Sequence, residues 1–287
     1  MPNTIIKLDN VSWAYSREKE WALRDISIEI EEGSFIAVMG CNGAGKSSFC
    51  LLLNALIPHS LEGRLTGKVT VDGEDTRSSS VAQLAKKVGM AFEDPATQLF
   101  TASVYDEVAF ALENLLLKPE EIAEKVRWAL EMAGLWDYRV FPVSNLSGGQ
   151  KQRLTIAAAL AMANKILVLD EPASQLDPLG AREVLSFIRD LRRQKGLTVV
   201  MAACSGEEAA EFADKILVLR KGSLAAFGTP AEIFADKNLP ASCMIDPPQV
   251  SEFANRMEDR GYPLPRFPVS LAEAEEAALD WYKGTHV

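Results

Sequence analysis

Apolar and polar side chains alternate over residues 5–15 and 26–31, the period of two that predicts half-exposed strands. A turn at Glu31-Glu32-Gly33 leads into residues 35–39, an unbroken apolar run that predicts a strand buried on both faces. Residues 48–57 then read as a helix closed by Pro58, residues 58–66 as a loop, and residues 67–73 as a short exposed strand ending in an Asp-Gly turn. A short helix over 81–87 and a short strand over 88–92 follow, before the pattern breaks into a loop over 93–101. Two helices come next, 103–117 and 119–133; the second opens with Pro119 and with Glu120 and Glu121 near its positive dipole end. Beyond residues 146–153 an alanine-rich helix runs to Ala163, and 166–169 is an apolar strand ending at Asp170. A helix over 179–194, a buried strand over 197–202, a last strand over 216–219 and a Thr229-capped helix over 230–235 complete the alternation. From about Lys237 prolines punctuate two short helices, 249–260 and 271–281.

Strands that alternate with helices predict an α/β fold with a mostly parallel sheet covered on both faces. The pattern predicts a main domain, 1–236, with a helical subdomain inserted at about 94–158, and a helical C-terminal extension, 237–287. With 48% hydrophobic residues the chain can bury a substantial core. No apolar run approaches the ~20 residues of a membrane helix, and no charged, then apolar, opening marks a secretory signal. The net charge of −10 disfavours nucleic acid as a general partner, because phosphate backbones are held by Lys and Arg. Cys41, Cys50, Cys204 and Cys243 lack paired C-x-x-C spacing, which points to a reduced, cytosolic compartment without structural zinc.

The chemistry centres on Gly40-Cys41-Asn42-Gly43-Ala44-Gly45-Lys46-Ser47-Ser48, set between a predicted strand and a predicted helix. That is the context of a phosphate-binding loop. The glycines let N–H groups turn toward phosphate, and the helix N-terminus adds free N–H groups and its dipole. Lys46 supplies a cation for the terminal phosphates, and the Ser47 hydroxyl can ligate Mg²⁺. Asp170 ends a buried strand, where α/β sheets place ligands, and can hold Mg²⁺ through a water; Glu171 beside it can orient or deprotonate an attacking water. Leu146-Ser147-Gly148-Gly149-Gln150 opens a helix and forms a second anion site. One nucleotide rarely needs two such sites from one chain.

Taken together, the phosphate loop, the Leu-Ser-Gly-Gly-Gln run, Asp170-Glu171 and residues 174–177 resemble the ATP-binding-cassette ATPases over about residues 5–236. The resemblance implies a P-loop NTPase core with an N-terminal antiparallel β subdomain. It also implies a head-to-tail dimer in which ATP lies between one chain's loop and the other's Ser147-Gly148-Gly149, with Gln150 and Asp177 lining the same interface. Tyr15 is the aromatic it implies for adenine, with Trp13 the alternative. Residues 94–100 and 104–110, with Pro247-Pro248-Gln249-Val250, are similar to the ATPase subunits of energy-coupling-factor transporters, which import vitamins and metal ions. This implies a peripheral position on the cytoplasmic membrane face, a second ATPase, a transmembrane coupling subunit and a membrane-embedded substrate-binding subunit. The competing readings are a soluble, non-transport cassette protein and a nucleotide sensor that does not hydrolyse.

Two residues depart from the family pattern. Glu93 stands where such ATPases carry Gln, and Cys204 stands where they carry His; the chain's histidines, His59 and His286, are elsewhere. Glu93 can offer an oxygen to Mg²⁺ but no amide N–H, and its charge lies near Glu171. Cys204 is a weak donor toward a γ-phosphate. Glu93, Asp94, Asp106 and Glu107 form an acidic set that suggests a socket for basic residues of a membrane subunit. Lys46→Ala is expected to lose most Mg-ATP affinity in equilibrium binding; an unchanged affinity overturns the phosphate-loop assignment.

Overall fold

The computed structural model describes residues 3–162 and 165–285, so Ala163 and His286 lie outside the described residues. The two alternating stretches form β1 (Thr4–Tyr15) and β2 (Leu23–Glu31), which pair antiparallel. The apolar run forms β3 (Phe35–Met39), buried at every position. The helix after the loop, α1 (Lys46–Leu53), stops well before Pro58. Asn54 ends it: its side-chain oxygen accepts the Leu56 N–H at 3.0 Å, a local turn that competes with the helix, and Ala55 takes φ 60°. A short α2 (Leu56–His59) contains Pro58, and the predicted loop gives way to β4 (Gly63–Val71), which pairs with β1. Asp72 and Gly73, both at positive φ, turn β4 into β5 (Glu74–Asp75), as two-residue hairpins require.

After α3 (Val81–Leu84), β6 (Val88–Ala91) runs into the loop whose residues Pro95–Thr97 form a 3₁₀ turn. Helices α4 (Val104–Asn114), α5 (Pro119–Met132) and α6 (Gly148–Met162) form the helical block, with a core of its own that includes Val108, Leu112, Val126, Leu130 and Leu154. Then come β7 (Ile166–Asp170), α7 (Pro178–Lys195), β8 (Thr198–Ala202), α8 (Gly206–Phe212) and β9 (Lys215–Arg220). The strand over 216–219 is not the last. Lys221 and Gly222 have φ of 49° and 79° and fold β10 (Ser223–Gly228) back antiparallel onto β9. Small side chains and an edge position hide this strand from the hydrophobic pattern. The capping box of Thr229 and Glu232 opens α9 (Pro230–Ala235). A short α10 (Leu239–Cys243), absent from the sequence reading, precedes α11 (Gln249–Asp259) and α12 (Leu271–Thr285).

Among the described residues these strands build two sheets, a four-stranded antiparallel one, β2-β1-β4-β5, and a six-stranded one, β10-β9-β3-β8-β7-β6. In the second sheet every pairing but β10·β9 is parallel. One core lies between the two sheets and α1; the other lies on the opposite face, under α7 and the C-terminal helices, and takes in Cys243 and Ile245.

Glu107 departs from its expected place. It is 5% exposed and accepts hydrogen bonds from the N–H of Phe100 at 3.1 Å and of Thr101 at 2.9 Å, and from the Thr101 hydroxyl at 2.8 Å. A carboxylate spent on shaping its own loop cannot serve as a docking socket. Hydrogen bonds to charged groups contribute about 1.5–3 kcal/mol each and lost partners stay unsatisfied. Glu107→Ala is therefore expected to cost about 3 kcal/mol in denaturant unfolding, against about 1 kcal/mol or less for exposed Asp106→Ala, which loses one helix-terminal contact.

Candidate functional site

Because β3, β8, β7 and β6 are parallel neighbours, the residues that follow them meet at one sheet edge. These are Gly40 after β3, Cys204 after β8, Glu171 after β7 and Glu93 after β6. A cavity of about 520 Å³ opens there, lined by Asn42, Gly43, Gly45, Lys46, Ser47 and Ser48, with Tyr15, Glu93 and Glu171 around them.

The loop's glycines have distinct reasons. Gly40 has φ 149°, and a Cβ there would sit 2.4 Å from the Leu219 carbonyl oxygen. Gly45, the N-cap of α1 at φ 107°, would place one 2.6 Å from the Ala22 carbonyl oxygen. Gly43 needs only its φ of 78°, since nothing lies within 4 Å of its missing Cβ. Cys41 and Ala44 shape the turn, through Ala44 N–H to the Cys41 carbonyl at 3.0 Å and Gly222 N–H to the Ala44 carbonyl at 3.0 Å.

Lys46 is buried, donates to the Gly40 carbonyl at 2.9 Å and lies 3.1 Å from Glu171 Oε1. The other Glu171 oxygen, Oε2, accepts the Cys204 thiol at 2.8 Å. Burial of the sulfur, although the residue still meets solvent, and then the Glu171 carboxylate push this thiol up to about 12. Cys204 is therefore a neutral donor at physiological pH. Glu171 itself has φ 49°, a conformation L-residues rarely adopt and one that clusters at working sites.

Asp170 is 8% exposed, and its Oδ1 has no hydrogen-bond partner among the described residues. Burial, then the Glu171 and Glu93 carboxylates, raise its carboxyl against the opposing hydrogen bond from Ser47. A buried carboxylate with one orphaned oxygen, beside the Ser47 hydroxyl, fits a hard divalent cation. No group of three or more His, Cys, Asp or Glu side chains able to hold a metal occurs among the described residues. Such an ion would need phosphate oxygens to complete its shell, as Mg²⁺ sites commonly do.

Of the two aromatics, Trp13 is fully buried and Tyr15 lines the cavity. The Trp13 ring packs edge-to-face on Tyr15 at 5.4 Å, and the Tyr15 hydroxyl shares a 2.9 Å hydrogen bond with Ser48 Oγ. Trp21, with Arg64 4.3 Å above its ring, also lines the cavity. The sequence reading missed it; its one signal is an aromatic just before β2, beside Glu18 and Glu20.

Ser147, Gly148, Gly149 and Gln150 do not line this cavity. Ser147 N–H donates to Gln150 Oε1 at 2.9 Å, and Gln150 N–H donates to Ser147 Oγ at 3.3 Å. Nothing lies within 4 Å of a Cβ built on Gly149, so its own chain gives no reason for that glycine. Asp177 caps α7 by accepting from Leu179 and Gly180 N–H at 3.0 and 2.8 Å.

Residues 23–174 match the protein family described as ABC transporter. The chain belongs to the ABC transporter ATPases. It is 48% identical to a putative ABC transporter ATP-binding protein of Pyrococcus abyssi, over 80% of this chain and 82% of the relative. It is 40% identical to the energy-coupling factor transporter ATP-binding protein EcfA1 of Symbiobacterium thermophilum, over 98% and 99%. In structure it is similar to CbiO1 of Clostridium perfringens, part of the ABC transporter complex CbiONQ, with a TM-score of 0.74 and 30% identity over 90% of this chain and 98% of that one. It is thus an ATP-binding ATPase of the energy-coupling-factor type.

Asp170 generates a test. A carboxyl raised above its unfolded value binds its proton more tightly in the fold, so stability falls as pH rises from the unfolded toward the folded pKa. Asp170→Asn removes that penalty. The variant without nucleotide is expected to melt higher than wild type at about pH 7 and to match it at about pH 3 to 4, while losing the added stability that Mg-ATP gives wild type.

Proposed function

We propose that this chain is the motor subunit of an importer for a vitamin or metal ion, paired with a second, different ATPase. It binds Mg-ATP between its own phosphate loop and the other subunit's Ser-Gly-Gly turn, and lends its own Ser147-Gly148-Gly149 to the partner's nucleotide. The observation that carries this reading is the separation within one chain of two anion-binding helix starts. Lys46 and Glu171 share one cavity, whereas Ser147 and Gly148 stand exposed away from it. Two glycines in the first turn of α6 cost roughly 1 kcal/mol each relative to alanine, and close approach by a ligand held on another chain accounts for them.

In this reading Ser47 and Asp170 would hold Mg²⁺, Glu93 could offer it an oxygen, and Tyr15 would face adenine. The ion would neutralise charge on the phosphates and on Asp170. Phosphate entering the cavity competes with Glu171 for Lys46, which frees Oε1 to take an attacking water's proton. Cys204 stays bound to Oε2 and offers no second strong donor. Glu93 adds a carboxylate beside Glu171, and two like charges ~4 Å apart cost about 1–4 kcal/mol depending on how wet the site is. Both features slow this chain's own site, and a partner carrying Gln and His there supplies the fast one.

No helix among the described residues is long and apolar enough to cross a membrane. We assign attachment to the cytoplasmic face through a membrane subunit. With Glu107 used internally and Glu93 at the nucleotide, the docking surface is the exposed pair Phe100 and Phe110, stacked edge-to-face at 4.9 Å, with Asp94 and Asp106 left as the candidate acids of the original set.

The purified chain alone is expected to hydrolyse ATP slowly. Glu93→Gln with Cys204→His is expected to raise its rate toward the 10²- to 10³-fold that one preorganised donor typically provides, read by phosphate release. In the assembled complex Ser147→Arg is expected to abolish turnover, while Glu171→Gln does modest harm. Fast turnover by the wild-type chain free of any partner overturns the asymmetric pairing.

A further inference from the structure

Pro247-Pro248-Gln249 leads into α11 and has no part in the proposed chemistry. It leaves that helix without a cap of its own. Pro248 holds the N-cap position in place of the Ser, Thr, Asp or Asn that helices prefer there, and it accepts no hydrogen bond through its side chain. The first N–H the helix can offer is that of Gln249, and such terminal groups need a partner from elsewhere. Glu207, in the first turn of α8, supplies it. Its Oε1 accepts the Gln249 N–H at 2.8 Å, which also sets a carboxylate at the positive end of α11.

The residue before Glu207 is fixed to the same segment. Gly206 is buried, and a Cβ there would sit 2.1 Å from the Asp246 carbonyl oxygen and 3.3 Å from the Phe234 ring. Ser205 caps α8 by accepting the Glu208 N–H at 3.4 Å. Cys204 comes next toward the sheet, where the Ala203 N–H is bonded to the Val38 carbonyl at 3.0 Å. The segment from Cys204 to Glu207 is therefore anchored to the sheet at one end and to the start of α11 at the other. Beside these contacts a cleft of about 730 Å³ is lined by residues of both parts, Cys204, Ser205 and Lys237 among them.

We propose that Glu207 is a positioning residue for the catalytic edge: by capping α11 it fastens the C-terminal extension to the segment after β8 and so holds the Cys204 thiol on Glu171 Oε2. The extension then braces the carboxylate that the proposed function uses as base, and the inference rests on that use. The two prolines suit this arrangement, because they present the Gln249 N–H with no competing cap in their own segment. Lys46 and Ser47 lie outside the link, so loosening it alters turnover rather than nucleotide affinity.

The test compares full-length wild type, Glu207→Ala, Glu207→Gln and Glu211→Ala; the last removes an acid of the same helix that lies 3.7 Å from Arg182. Iodoacetamide alkylation without nucleotide is followed at each cysteine by mass spectrometry, and phosphate release with Mg-ATP gives kcat and KM. Cys204 is open to the reagent through the cleft, and buried Cys50 reports any global loosening. Glu207→Ala is expected to raise the Cys204 alkylation rate about 5-fold with Cys50 unchanged, the size of a helix cap's contribution, and to lower kcat about 5-fold at unchanged KM for ATP. Glu207→Gln, whose amide oxygen can still accept the Gln249 N–H, is expected to stay close to wild type, as is Glu211→Ala. A wild-type alkylation rate at Cys204 in Glu207→Ala overturns the proposal. So do faster alkylation with unchanged kcat, an equal rise at Cys50, or equal effects in Glu211→Ala. Glu171→Gln separates the two claims: if it keeps the wild-type kcat, the base of the proposed function falls, and the alkylation rates alone decide whether Glu207 holds the segment.

Discussion

A strand buried on both faces offers polar groups to solvent only at its ends, and the site of this ATPase depends on that constraint. β3, β7 and β8 are buried throughout, and β3 and β8 carry no charged side chain. Their reactive neighbours are therefore found where each strand stops. Parallel register places all of those stops at one edge. The ladder continues past the strands, with Ala203 N–H bonded to Val38 at 3.0 Å and Glu171 N–H to Ala202 at 3.2 Å, so each exit is tied to its neighbour. Residues far apart in the chain, Lys46 and Glu171, thereby line one cavity and meet at 3.1 Å.

Charge is the second constraint. Glu171 pairs with the one buried ammonium of the site, and burial first, then the Glu171 and Glu93 carboxylates, raises the Asp170 carboxyl beside it. Lys46 and Cys204 each hold one oxygen of Glu171, which keeps the carboxylate placed but engaged. In the proposed function, bound phosphate would draw Lys46 away from Glu171 and a divalent cation would compensate the carboxylates, which would couple nucleotide binding to the freeing of Glu171.

The periphery is ordered by other means. The helical block has its own apolar core, so Glu107 can shape the loop at Phe100 and Thr101 without disturbing the sheet. The C-terminal helices are joined to the main body by Cys243 and Ile245 in its core and by the Asn255 side chain bonded to the Phe234 carbonyl at 3.1 Å. The loop from Cys204 to Glu207 lines a cleft together with Lys237, Pro240 and Asp259 of this extension.

What the sequence alone determined was whatever depends on neighbours in the chain. The strand over 35–39, the glycine loop, the helix opened by Pro119 and the Thr229 cap are written in local periodicity and capping chemistry, and so is the strand ending at Asp170. The kinds of residue at the site were legible for the same reason, since a phosphate loop and an Asp-Glu strand end are short motifs. Tertiary structure decided which of those groups remained available. The resemblance named Tyr15 with Trp13 as the alternative, and pairing with β2 and β4 buried Trp13 and left Tyr15 at the cavity. Glu107 reads as a surface acid until its loop folds over it. β10 becomes a strand only because β9 offers it an edge. For Trp13 the deciding energy is burial against strands distant in the chain; for Glu107 and β10 the partners are near in the chain, but the hydrogen bonds that decide them leave no mark in the hydrophobic periodicity.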